Sequence, residues 1–144
     1  MVSAPYRRDG WFPEIRAAFD QMGSAGFPEM KRSPLYDGWS QVAPEPDAFP
    51  VLMDKTGELL RRPYDWSDEV RELAAQTLLV YGDADSIPVT HAAEFFALLG
   101  GGLRDGGWEG SGRSDARLAI LDGRTHYDIF ESDQIASALR AFLR

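Results

Sequence analysis

The sequence contains no cysteine, which excludes disulfide bonds, thiolate metal sites and a cysteine nucleophile. Histidine is scarce: the only two are His91 and His126, well apart in the chain, so a histidine-based zinc site lacks ligands. Positive charge is in deficit, with 15 Lys and Arg against 23 Asp and Glu, a net charge of −8. That argues against a nucleic-acid surface, which relies on clustered basic side chains. No apolar run approaches the roughly 18 residues of a membrane span. The opening Met1-Val2-Ser3-Ala4-Pro5-Tyr6-Arg7-Arg8 has no apolar core of a secretory signal, so a cytoplasmic protein is expected. What is present is a globular composition of 144 residues, 44% hydrophobic and 26% charged. A chain of this length buries about two-thirds of its unfolded surface, enough for a core without staples.

Two unlike parts follow one another. Eight of the nine prolines lie at or before Pro63, and no stretch there alternates well enough to predict a strand. Helical spacing is present instead. Trp11 or Phe12, Ile15, Ala18, Phe19 and Met22 recur at intervals of three and four, with Pro13 suited to a first turn. Pro34 to Val42 is a candidate short helix. Phe49, Leu52, Met53, Leu59 and Leu60 form another stripe, although Gly57 costs about 1 kcal/mol inside a helix. Residues 1–63 are therefore expected to be a helical cap or lid.

From residue 64 the pattern alternates. Ser67, Asp68 and Glu69 suit a helix start. Thr77 to Tyr81 is a continuous apolar run, as in a strand buried on both faces, and it ends at Gly82-Asp83-Ala84-Asp85. Ala92, Phe95, Phe96 and Leu99 then mark a helix. Seven glycines among residues 100–112 mark a loop, which lacks the preceding strand and the lysine of a phosphate cradle. Arg117 to Leu121 forms a second strand, closed by Asp122-Gly123. His126 follows, then a helix bearing Ile135, Leu139, Phe142 and Leu143. The order β-α-β-α implies an α/β fold with a parallel sheet.

Parallel strands end on one edge of the sheet, where ligands and catalytic groups collect in open α/β folds. Asp85 follows the first strand and His126 the second. Strands are about 4.8 Å apart, so the two side chains meet if the strands are adjacent. An aspartate that accepts the imidazole N–H fixes the tautomer and stabilises the imidazolium. Taken alone, Asp83 or Asp85 equally suits a helix cap, His126 a solvated loop, and His91 a partly exposed helix position. Asp83, Asp85 and Asp122 are common loop acids rather than a magnesium site, so neither metal nor cofactor is expected.

The segment Thr77-Leu-Leu-Val-Tyr-Gly-Asp-Ala-Asp85, with Ser86-Ile87-Pro88 after it, and the later Leu118-Ala-Ile-Leu-Asp-Gly-Arg-Thr-His126 resemble the last two strand–loop units of the α/β-hydrolase superfamily. That resemblance implies Asp85 as the triad acid and His126 as the general base. It also implies a cap in the proline-rich helices, with Val2-Ser3-Ala4-Pro5 as the tail of the strand leading into it. Only the C-terminal half of such a fold is covered. The G-x-S-x-G nucleophile elbow precedes acid and base in chain order, and nothing before Asp85 fits it. Gly23-Ser24-Ala25-Gly26 has the wrong spacing, and Gly112-Arg113-Ser114-Asp115-Ala116 comes after the acid and before a strand. No nucleophile is therefore assigned, and Ser114 is not expected to serve as one.

The resemblance implies hydrolysis of a small molecule once an N-terminal half completes the fold. Family members with Ser at the elbow cleave esters and amides, and those with Asp open epoxides or displace halide. The acid and histidine are alike in both, so the choice stays open. Trp11, Phe12, Trp39 and Trp66 either line an apolar pocket or pack the helices. A half sheet exposes an unpaired edge, so self-association or a partner chain is expected. A non-catalytic role through that edge, or an unrelated small α/β binding module, is the alternative.

Overall fold

The computed structural model describes residues 1–144, which divide into a unit of residues 1–12 with 64–144 and a unit of residues 13–63. In the first unit, strand β1 (Leu78–Ala84) and strand β2 (Arg117–Thr125) pair in parallel. Between them runs helix α6 (Val89–Leu98), the crossover that a parallel pair requires. Helix α5 (Ser67–Arg71) precedes β1 and helix α7 (Asp133–Phe142) follows β2. This is a mixed α/β fold built on a two-stranded parallel sheet.

The apolar run of β1 explains its central place. Leu79 and Tyr81 point to one face, into a core with Tyr6, Val70, Ile87, Ala92 and Phe95. Leu78 and Val80 point to the other, with Leu121, Ile129 and the α7 residues Ile135, Ala138 and Phe142. Fully burying one such side chain stabilises by roughly 1.5–3 kcal/mol, so β1 anchors both layers.

Three features depart from the sequence-based expectation. Residues 1–12 go with the sheet rather than with the helices, because Val2 pairs in parallel with Val80 on the side of β1 away from β2. The amide of Val80 donates to the Met1 carbonyl at 3.0 Å, and the Ser3 amide to the Val80 carbonyl at 2.8 Å. Second, β2 does not stop at Asp122-Gly123. The register slips between Gly82 and Ala84, Gly123 takes a φ of 65°, and pairing resumes at Ala84 and Thr125. A left-handed residue in such a bulge is easy for glycine. Third, His91 is buried, not partly exposed. Its ring stacks on Tyr6 with centroids 4.4 Å apart, and Gly10 packs so close that a Cβ there would lie 2.4 Å from the imidazole.

The second unit is helical. It contains α1 (Pro13–Gln21), α2 (Phe27–Met30), α3 (Pro34–Val42) and α4 (Phe49–Arg61). Prolines occupy the first turns of α2, α3 and α4, where the missing N–H costs nothing. Ser33 caps α3 by accepting the Tyr36 amide. Phe49 is the hub of this unit, in ring contact with Phe27, Tyr36 and Trp39 at centroid distances of 5.2–6.0 Å. Gly57 is buried in α4, because a Cβ there would meet the Met22 carbonyl oxygen at 2.2 Å. The helix penalty of this glycine is thus offset by close packing. A cavity of about 370 Å³, lined by Met22, Met30, Leu35, Trp39 and Met53, opens within the unit. No helix in either unit is long and apolar enough to cross a membrane.

Candidate functional site

Three chain segments meet at the carboxyl edge of the sheet. Asp85 follows β1 directly after the bulge, and His126 follows β2 directly after Thr125. The Asp85 side chain is wholly buried, and its Oδ1 lies 3.1 Å from His126 Nδ1. The turn that carries His126 is tied by Asp128, whose Oδ1 accepts from the Thr125 amide and hydroxyl at 2.7 Å each. The Tyr127 and Asp128 amides donate in turn to Thr125 Oγ1. Trp11 flanks the imidazole in a T-shaped contact, with centroids 5.2 Å apart and planes at 72°. Its Nε1 donates to the Tyr64 hydroxyl at 3.2 Å.

Asp85 gathers four donors. Oδ1 accepts from His126 and from the Ile87 amide at 3.3 Å. Oδ2 accepts from the Gly82 amide at 3.2 Å and from the Ser3 hydroxyl in a short hydrogen bond. Burial by itself raises the pKa of this carboxyl, but the bonds from His126, Ser3 and Gly82 outweigh it and hold the group below the usual aspartate value. A carboxylate accepts only, so the proton between Asp85 and His126 belongs to Nδ1. Both hydrogen bonds of the imidazole are made at Nδ1. In the neutral ring Nε2 is therefore the nitrogen without a proton, on a side chain that is 29% exposed, the tautomer a general base requires.

Ser3 is the member that sequence reasoning did not single out. Its Oγ lies 2.8 Å from His126 Nδ1, and its backbone has a φ of 49°, the only non-glycine residue in the left-handed region. The available signal was the likeness of Val2-Ser3-Ala4-Pro5 to a strand tail, which places Ser3 at the same sheet edge. Ser114 is elsewhere, donating to the Ala116 carbonyl at 3.1 Å. Of the aromatic candidates, Trp39 packs within the helical unit and donates to the Pro46 carbonyl at 3.2 Å. Trp66 stands against Tyr64 and stays half exposed, and Phe12 lies partly open to solvent.

His91 takes no part in this cluster. Burial lowers its pKa and the nearby Arg7 lowers it further, against the opposing pull of Glu94 and Asp9. Its Nε2 is buried without a partner, its Nδ1 is 3.9 Å from Glu94, and Tyr6 covers its face. The folded protein thus disfavours the charged ring, while the unfolded chain protonates it at the ordinary value of about 6.5. Stability is full above that value and falls as pH drops below it. Asp85 adds a second loss at lower pH, beginning where unfolded aspartates protonate, near 3.9. In thermal melts between pH 7.5 and 5, wild type is expected to hold its stability down to about pH 6.5 and to lose it below that value. His91→Phe is expected to flatten that slope, and an unchanged slope would contradict the assignment.

No protein-family model, no curated protein and no solved structure matches this chain.

Proposed function

We propose that Asp85 and His126 are the acid and general base of an α/β-hydrolase-type site acting on a small molecule. The nucleophile and the oxyanion donors would come from a polypeptide segment outside these 144 residues. The observation that carries the proposal is the buried Asp85 carboxylate at 3.1 Å from His126 Nδ1, each group at the end of one of two parallel strands. With a serine nucleophile, Nε2 accepts the hydroxyl proton as the oxygen attacks, then returns it to the leaving group. With an aspartate nucleophile, the attacking carboxylate needs no deprotonation, and Nε2 activates the water that cleaves the intermediate. In both cases Asp85 stabilises the imidazolium that forms.

The chain order supports the same reading, since the helices of residues 13–63 lie where a cap is inserted, just before the acid-bearing strand. A cytoplasmic location belongs to it as well. The completing segment would pair beside residues 1–3, whose outer side has no neighbouring strand. A second copy of the chain pairing there, without catalysis, is the alternative.

The 144-residue chain is expected to show no burst and no turnover with p-nitrophenyl acetate, because a base without a nucleophile lacks its reacting partner. Protein isolated from its own cells is expected to be heavier than 16.0 kDa. It should react with a fluorophosphonate at a serine or with an epoxide probe at an aspartate outside this sequence; His126→Ala should abolish the fluorophosphonate labelling of a serine, or make the epoxide adduct of an aspartate accumulate because its hydrolysis needs Nε2. A 16.0 kDa species that neither probe labels would overturn the proposal. So would ester turnover by the 144-residue chain that depends on His126.

A further inference from the structure

We infer that Ser3 is a positioning residue, not a nucleophile: its hydroxyl clamps Asp85 and His126 into one geometry and keeps the imidazole proton on Nδ1. The inference deepens the acid–base reading above and rests on it for its catalytic meaning.

The hydrogens can be counted. Ser3 Oγ carries one, and the Asp85 carboxylate, an acceptor only, takes it at Oδ2. The oxygen then offers its lone pairs to His126 Nδ1 at 2.8 Å. The single Nδ1 proton is shared between Ser3 Oγ and Asp85 Oδ1, so every polar atom in the triangle is satisfied. The reverse assignment, in which Ser3 gives its proton to Nδ1 as a nucleophile does to its base, fails here. It strips Nδ1 of its hydrogen and sets its lone pair against the Asp85 carboxylate at 3.1 Å. A nucleophile–base–acid relay uses opposite nitrogens of the ring, whereas Ser3 and Asp85 approach the same one. Ser3 is also buried, which shuts a substrate away from its oxygen.

The backbone agrees with a built position. A serine at φ 49° is sterically costly and persists only where its surroundings over-determine it. They do so on three sides. The Ser3 amide is held by Val80, Val2 is paired to the same strand, and the next carbonyl, that of Ala4, accepts from the Tyr81 hydroxyl at 2.8 Å. This local arrangement aims Oγ between the carboxylate and the ring.

The test is imidazole ¹⁵N NMR on the full chain at a pH where His126 is neutral, in wild type, Ser3→Ala and Ser3→Gly. Both variants lack the hydroxyl, and glycine also relieves the left-handed backbone, so a folded sample is available even if alanine is poorly tolerated. The ratio of Nδ1–H to Nε2–H is expected to fall about fivefold in either variant, the worth of one ordinary hydrogen bond. A purely structural serine would leave that ratio alone. An unchanged ratio in the variants overturns the inference, as does a fluorophosphonate adduct on Ser3. The tautomer ratio is read without substrate, so its outcome is separate from that of the labelling experiment, which decides the hydrolytic reading.

Discussion

Gly82→Ala is expected to be among the most destabilising single changes in the sheet unit and to break the candidate site with it. A Cβ at this position would lie 1.9 Å from the Arg124 carbonyl oxygen and 2.6 Å from its carbon. These are backbone atoms of β2, which cannot swing aside as a side chain can. The strands must separate where the bulge brings Ala84 against Thr125, one residue from Arg124 and one from His126. The cost is about 3 kcal/mol, which lowers the melting temperature by roughly 10 °C in a chain of this size. His126 would also leave Asp85, so the Nδ1–H tautomer should be lost in whatever fraction remains folded. A variant that melts with wild type would show that the two strands do not cross so closely. Gly57→Ala offers the counterpart in the helical unit, where the obstacle is the Met22 carbonyl.

Asp85→Asn is expected to have the second large effect, although it preserves shape. Four donors converge on the carboxylate: the Ser3 hydroxyl, His126 Nδ1, and the amides of Gly82 and Ile87. An amide offers one acceptor oxygen and turns an NH₂ toward at least one of those donors. Some buried donors lose their partner, at roughly 1–3 kcal/mol for each unsatisfied group. A total loss of about 3 kcal/mol is expected, measured by urea unfolding followed through tryptophan fluorescence. The second consequence is electronic. An NH₂ facing Nδ1 needs a bare nitrogen there, so the ring proton moves to Nε2 and the general base is lost. Equal stability with an unchanged tautomer would show that the Asp85 charge does not hold the ring.

Much of this arrangement is legible in the residues, for identifiable reasons. The run from Leu78 to Tyr81 has no alternation because both faces of β1 are covered, and that absence reveals a parallel strand. The meeting of Asp85 and His126 follows from topology, since two adjacent parallel strands deliver their following residues to one edge. What escapes is non-local or too short to carry a period. The pairing of Val2 with Val80 is a single bridge, which no alternation pattern can announce, and Ser3 rides on it. The continuation of β2 past Asp122-Gly123 is hidden because that pair is also a turn signal, and only the partner strand makes it a bulge. The burial of His91 depends on Tyr6 and Gly10, some 80 positions earlier in the chain. Helical spacing places His91 on α6 without telling what covers it.

Whether Asp85 and Ser3 set the tautomer of the imidazole is read directly from the ¹⁵N spectrum of neutral His126 in the wild-type chain. An Asp85 carboxylate at 3.1 Å and a Ser3 oxygen at 2.8 Å both face Nδ1, so a protonated Nδ1 and a bare Nε2 are expected. A ring that carries its proton on Nε2 would contradict that expectation, because Asp85 would then neither orient the imidazole nor leave it a base.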